Sequence, residues 1–422
     1  MKIKNLIKNN FAKHVLTLLS GSTIAQVFTF IIMPVLTRIY SEELFGIYFI
    51  FVSTLNILKK ITTLRFEIAI ILPKKDSWAI NAWAVTVFIT FLTSIIFFAI
   101  SLVFKKLILE ISNLEKIANF IFLIPLSLFI TGIFEAFNFW NNRIELYKKI
   151  AAGKISLSTT TGLSQLILGL KKTLNIGLIW GLVIGQIVST ITVILISIKQ
   201  IFILFKNIST KKMKIILRKY YKIPMLNSVI NVLINLANEI PIYLLTGFYS
   251  LSVSGFYGMA NKIAATPMDL LARSVGQVFY QKASNDYNKG KDLKELVTKT
   301  YKNLFKISIL PTIILIAATP FLPYILGEGW REATIYLWII IPTVFINFIT
   351  QPISGIFTIT ENQGKMLIFN IIIIIVKFFA IWSGYYFFKN VIISVILLSG
   401  VTVLYKIFIL FWYLKISKTT NS

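Results

Sequence analysis

The 422-residue chain has no cysteine, one histidine and only 16 acidic residues, against 43 lysines and arginines. Without cysteine it forms no disulfide and offers no thiolate to a metal, although that absence says little about compartment. Charge of either sign is scarce: charged residues make up 14% of the chain and hydrophobic residues 56%. With a mean hydropathy of +0.79, such a chain cannot hide its apolar surface in one water-facing globule and requires a bilayer as solvent. It shows no paired carboxylates, no metal-ligand cluster and no glycine-rich phosphate loop followed by lysine, which disfavours an ATP-driven pump. No cofactor is expected. His14, the single histidine, falls at the expected membrane boundary and reads as interfacial.

Long apolar runs are what the chain does have. "VFTFIIMPVL", "FLTSIIFFAISLVF" and "IFNIIIIIVKFFAIW" are examples, and a spanning helix needs about 20 such residues. The runs predict an all-α integral membrane protein with twelve transmembrane helices. The expected spans are 15–36, 44–64, 80–104, 117–140, 150–170, 174–198, 223–247, 252–279, 304–326, 333–357, 364–388 and 391–414. No separate signal peptide is expected, because the first span is too long for one and lacks a small-residue cleavage site.

The formal net charge of +27 is unevenly placed. With the N-terminus inside, alternate loops hold most of the lysines and arginines, above all 199–222 and the stretch from Arg273 to Lys306. This positive-inside bias predicts cytoplasmic termini. It would also favour contact with anionic membrane lipids. Nucleic acid is not expected as a partner, since no basic soluble domain exists to carry it.

The stretch "LTRIYSEELFGIY" at 36–48 returns as "LTGFYSLSVSGFY" at 245–257, with Leu, Thr, Tyr, Ser, Gly and Tyr in register. In both places it follows the first helix of a half and opens the second. The repeat predicts two pseudo-symmetric six-helix bundles, 1–205 and 206–422, with a substrate path between them. Gly46 and Gly255 are expected to let the next helix start close to its neighbour, and Tyr40, Tyr48, Tyr249 and Tyr257 to lie at the membrane interface. Only the first copy carries charge. Arg38, Glu42 and Glu43 read either as a solvated outer loop or as a gate pairing across the halves.

"GSTIAQVFTFIIMPVLTRIYSEELFGIY", "LRFEIAIILPKK", "FWNNRIELYKKIA", "SGFYGMANKIAATPMDLLARSVGQVFYQKAS", "GEGWREATIYLWIIIP" and "QPISGIFTITENQG" occur in that order. Together they resemble the bacterial O-antigen and polysaccharide flippases, whose superfamily also holds multidrug exporters and the peptidoglycan-precursor flippase. The resemblance covers nearly the whole chain and implies the MATE-like fold of that superfamily. It implies a non-enzymatic flippase that moves an undecaprenyl-pyrophosphate-linked oligosaccharide from the cytoplasmic to the periplasmic leaflet of the bacterial inner membrane. A polysaccharide polymerase and chain-length machinery would be its partners, and proton or sodium coupling stays open. The alternative is a cation-coupled multidrug exporter of the same superfamily. A polymerase or lipid-dependent glycosyltransferase is disfavoured by the short outer loops, the longest at 105–116.

Polar side chains are costly in lipid, so those inside spans point to protein or to a water-filled path. On the seventh span Asn227, Asn231, Asn235 and Asn238 share one face, with Glu239 beside them. On the eighth, Lys262, Thr266, Asp269, Arg273 and Gln277 follow the same spacing. On the second, Ser53, Asn56, Lys60, Thr63 and Glu67 form a third face, flanked by Lys59 and Arg65. The asparagines read as interhelical glue or as contacts to sugar hydroxyls. Asp269 and Arg273 read as a mutually neutralising pair or as part of the path. Lys60, Lys262 and the mid-span Lys377 would suit an anionic pyrophosphate, with Arg65 and Arg273 nearby. Lys406 lies closer to a helix end and is expected to snorkel. Glu239 is the candidate coupling acid, because Pro241 frees the Ala237 carbonyl and gives an ion a second ligand; the alternative pairs it with Lys262. Asp269, Glu67 and Arg38 complete the coupling and gating candidates.

Overall fold

A computed structural model describes residues 10–109, 118, 120–171 and 174–418, with the side chains of 222–227 among those outside it. Long helices form where the apolar runs lie. In chain order they are α1 (Asn10–Ile39), α2 (Glu42–Thr62), α3 (Asp76–Leu109), α4 (Leu123–Arg143), α5 (Tyr147–Leu170) and α6 (Leu174–Phe205). A short basic helix, α7 (Thr210–Tyr220), precedes α8 (Lys222–Phe248), α9 (Leu251–Asn288), α10 (Lys294–Ala318), α11 (Arg331–Thr350), α12 (Gln363–Tyr386) and α13 (Val391–Ile416). Each expected span overlaps one of these helices, those at 304–326 and 333–357 running on past the helix end into short turns. The expected outer loop at 105–116 lies mostly outside the described residues.

Among the described residues, ten helices are long and apolar enough to cross a membrane. The two long helices that fall short are α5, with its "KISLSTTTGLSQ" run, and α9, which carries Lys262, Asp269 and Arg273. The first of them shelters its polar atoms against neighbours. In α5, Ser158 lies 2.8 Å from Thr29 on α1, and Gln165 donates to the Leu178 carbonyl of α6 at 2.8 Å. Glycines make that packing close: a side chain at Gly21 would strike Ala151, and one at Gly185 would strike Thr161. Small residues at helix contacts are how membrane helices approach without a hydrophobic driving force between them.

The chain forms two compact units, Met1–Tyr40 with Ile50–Asn235, and Ser41–Phe49 with Leu236–Ser422. The unit boundary therefore falls at the joint between α1 and α2 and inside two helices, α2 and α8. The first unit has an aromatic core of Phe66, Trp83, Phe137 and Trp140, joined by Val193, Ile201 and Ile216. Ile216 belongs to α7, so one face of this basic helix is part of that core. Asn81 fastens its start, donating to the Asn207 carbonyl at 3.0 Å and accepting from Ser209 N–H at 2.9 Å.

In the second unit the two copies of the repeated phrase meet. A Cβ on Gly46 would collide with the Leu251 carbonyl, and one on Gly255 with the Glu42 carbonyl. The neighbour that each glycine admits is thus the other copy of the phrase. Trp330 closes the contact, edge-on to Phe45 at 5.1 Å and to Phe256 at 5.9 Å.

Of the four tyrosines expected at the interface, Tyr40 is 1% exposed and Tyr48 is also buried, so these two face protein, while Tyr249 and Tyr257 are half-buried. Tyr40 donates to the Gln165 carbonyl at 2.6 Å; its counterpart Tyr249 reaches Ser394 at 2.6 Å. Each anchors the phrase to a later helix of its own unit. Glu42 and Glu43 occupy the first turn of α2, and Arg38 the last turn of α1, where each sign complements the helix dipole.

Candidate functional site

In the first unit the charges of the second span gather around the end of α2, though not as one helical face. The expected face ran through Thr63 to Glu67, but the helix stops at Thr62. Leu64 and Arg65 take left-handed backbone, with φ of 48° and 58°, and residues 66–70 form a short 3-10 turn. That reversal, costly for residues with a Cβ, brings Glu67 back under Arg65, whose Nη1 lies 3.5 Å from Glu67 Oε1. Glu67 is buried at 4% exposure.

Lys59 Nζ meets Glu135 Oε1 of α4 at 2.9 Å. Lys60 lies in the combined field of Lys59, Glu135, Arg65 and Glu67, with no hydrogen bond or ion pair of its own among the described residues. Three cations therefore face two acids. Glu135 was missed by the sequence reading, although a lone acid in an apolar span ("FEAFNFW") is itself a signal. Arg143, near the end of α4, serves a different purpose. It binds Asp76 through Nε at 3.0 Å and Nη2 at 2.8 Å, and donates to the carbonyls of Ile70, Ile71 and Lys74. It staples the loop before α3.

In the second unit Lys262 is half-buried and lies 5.7 Å from the centre of the Tyr48 ring. No acid neighbours it among the described residues, so Glu239 does not pair with it. The charge of Glu239 acts on Lys377 and on Tyr257. Lys377 is 7% exposed and donates to the Ala237 carbonyl at 2.6 Å. The carbonyl freed by Pro241 thus has a lysine on it, where the sequence reading placed an ion beside Glu239.

Lys406 does not stand apart at a helix end: it is half-buried, with Asp269 and Lys377 as its charged neighbours. Asp269 also feels Arg273, one turn away, and Arg273 is exposed. Lys262 is not among the charges around Lys377. Lys60 belongs to the first unit. Of the asparagines, Asn235 spends its amide on the Asn231 carbonyl of its own helix at 2.6 Å. Asn238 is exposed, Asn231 half-buried, and the side chain of Asn227 lies outside the described residues. Among the described residues no group of three or more histidine, aspartate or glutamate side chains could hold a metal ion.

Residues 35–335 match the family described as polysaccharide biosynthesis protein. The chain belongs to that family. Its fold is the one seen in the MOP superfamily of transporters. An inward-facing multidrug resistance MATE transporter of that superfamily matches with a TM-score of 0.71 at 12% identity, covering 97% of this chain and 100% of that one. A MOP-superfamily transporter from Pyrococcus furiosus, reported with a binding pocket of reversed polarity, matches with a TM-score of 0.64 at 12% identity, covering 96% of each chain. An outward-facing MATE transporter matches at 0.59 with 14% identity, again covering 96% of each chain. No curated protein matches the sequence. Family and fold together make this polysaccharide-family member a multi-pass membrane protein with the architecture of the MOP flippases and exporters.

Proposed function

We propose that this polysaccharide-family protein is a flippase. It carries an undecaprenyl-pyrophosphate-linked oligosaccharide, an O-antigen or related repeat unit, from the cytoplasmic to the periplasmic leaflet of the bacterial inner membrane. The family supplies the glycan context and the fold a transport architecture. The observation that carries the cargo's chemistry is Lys262. An ammonium in a span needs water or an anion, and this one has an aromatic face and, among the described residues, no acid. A pyrophosphate supplies the missing charge, whereas a cationic drug would be repelled. Lys60, left without an ion pair of its own when Lys59 closes on Glu135, is its counterpart in the first unit. Arg65, Arg273 and the exposed amide of Asn238 add donors for phosphate and sugar. Glu239, beside a lysine and a tyrosine, is the acid through which a proton or sodium gradient would act, with Asp269, Glu67 and Arg38 in gating roles. Both termini are cytoplasmic in this scheme, basic loops meet anionic lipid, and a polymerase with its chain-length machinery receives the product.

Complementation of a flippase-null strain tests the reading, with surface glycan resolved on a gel. The parent should restore full-length glycan, and Lys262→Met at matched abundance should lose most of it. Normal glycan from Lys262→Met, or no rescue by the parent in strains spanning several glycan types, overturns the proposal.

A further inference from the structure

Residue 241 is a proline inside α8. It has no N–H to give to the carbonyl of Ala237, four residues earlier. The helix nevertheless runs unbroken from Lys222 to Phe248, and Ala237 is only 4% exposed. The missing donor comes from another helix of the second unit, as Lys377 Nζ meets that carbonyl at 2.6 Å. The contact joins two unfavourable groups. A buried carbonyl without a donor and a buried ammonium without an acceptor are each costly, and together each satisfies the other.

An ammonium differs from the N–H it replaces. It ends a flexible four-carbon stem and has three donors, so it can change acceptors without moving a backbone. The acid whose charge acts on Lys377 is Glu239, two residues past Ala237 in the same turn. A carboxylate is the stronger acceptor for a cation, and the carbonyl the weaker. Lys377 thus holds a carbonyl while the charge of a carboxylate acts on it, and only the carbonyl contact completes the helix across Pro241. That turn lies just beyond the point, between Asn235 and Leu236, where α8 passes from the first unit to the second.

We propose that Lys377 is an exchangeable pin on a proline hinge in α8. On the Ala237 carbonyl it holds the 237–241 turn shut; drawn onto Glu239, it leaves that turn one hydrogen bond short and free to flex. The inference rests on the transport reading only for its use, since a hinge of this kind would serve a conformational cycle. The pin itself is a property of the folded chain.

The absence of native cysteine makes the test direct. Spin labels go on Val229→Cys, an exposed position, and on Gly247→Cys, where an added Cβ meets nothing. The two sites are about 27 Å apart along an ideal helix axis. In purified protein Lys377→Met should broaden the distance distribution and lower Tm. Adding Pro241→Ala restores an N–H at 241, so the double variant should narrow the distribution again and regain the lost Tm. Glu239→Gln removes the competing acceptor and should leave the distribution narrower than the parent's. If Lys377→Met alone fails to fold, recovery of folded protein in the double variant supports the pin, and failure of both overturns it. An unchanged distribution in Lys377→Met, or no rescue by Pro241→Ala, also overturns it. Pro241→Ala alone should be at least as stable as the parent yet yield several-fold less glycan; parental glycan yield would remove the hinge from the transport cycle. Distances and Tm need no cargo, so they stand or fall apart from the flippase reading.

Discussion

Interior cations are handled differently in the two units. In the first, Lys59 closes on Glu135 at 2.9 Å and Arg65 on Glu67 at 3.5 Å, so two of three cations have a carboxylate. In the second, Lys377 is held by a backbone carbonyl and Lys262 by an aromatic face. A carboxylate offsets a cation's charge, whereas a carbonyl or a ring stabilises it and leaves its charge in place. Two of the first unit's three clustered cations are therefore ion-paired within the fold, whereas the closest contacts of Lys262 and Lys377 in the second carry no charge.

The comparison can be broken most severely at the glycine contact, which assigns the start of α2 to the second unit and brings Tyr48 beneath Lys262. Gly255→Val drives a side chain into the Glu42 backbone, and backbone cannot rotate away. We expect a loss of roughly 3 kcal/mol or more, seen as a collapse in the yield of monodisperse protein. Yield and Tm equal to the parent's would mean that the two phrases do not pack as described.

A smaller effect sharpens the first unit's side of the contrast. Glu135→Gln strands Lys59, whose side chain is 32% exposed, and should cost about 1–2 kcal/mol, since the exposure screens part of the penalty. Pairing it with Lys59→Met should recover most of that loss in a thermal melt. Without recovery, the two charges are not acting on each other.

Lys262→Met probes the second unit's side. It orphans no acid, so stability should hold within about 1 kcal/mol or rise, while glycan display falls. A destabilisation as large as that of Glu135→Gln would show that Lys262 has a structural partner and would erase the difference between the units. Smallest is Asp76→Asn, outside both clusters. Asp76 is 56% exposed and Arg143 keeps its three carbonyls, so a change of about 0.5 kcal/mol or less is expected in the same melt.

Much of the fold was legible because a bilayer leaves the backbone few options. Ten of the twelve expected spans are apolar enough to have no other option and are helices; α5 and α9 are long helices as well, although they fall short of that apolarity. Legibility was poorer for α7, which was visible only as a basic segment. Its Ile216 face gains meaning from a core built by α3, α4 and α6. In the site, Lys59, Lys60, Arg65 and Glu67 were visible as one polar stretch, yet a helix was expected to carry them. Two left-handed residues, Leu64 and Arg65, broke that periodicity, and no glycine marked the turn. Pro241 told correctly which carbonyl would be free. It could not tell that the donor would come from Lys377, 140 residues away.

Hydropathy and the repeated phrase by themselves determined the class of protein, the number of long helices and the joint at which each half turns. These are local properties: a run of apolar residues is helical in lipid whatever surrounds it, and a glycine marks a close approach whoever the neighbour is. Tertiary structure alone decided that the two glycines approach each other, that Glu135 takes Lys59, and that Lys377 completes a helix to which it does not belong. A charge in a low-dielectric interior takes the best acceptor within a few ångströms, and packing, not spacing along the chain, sets which acceptor that is.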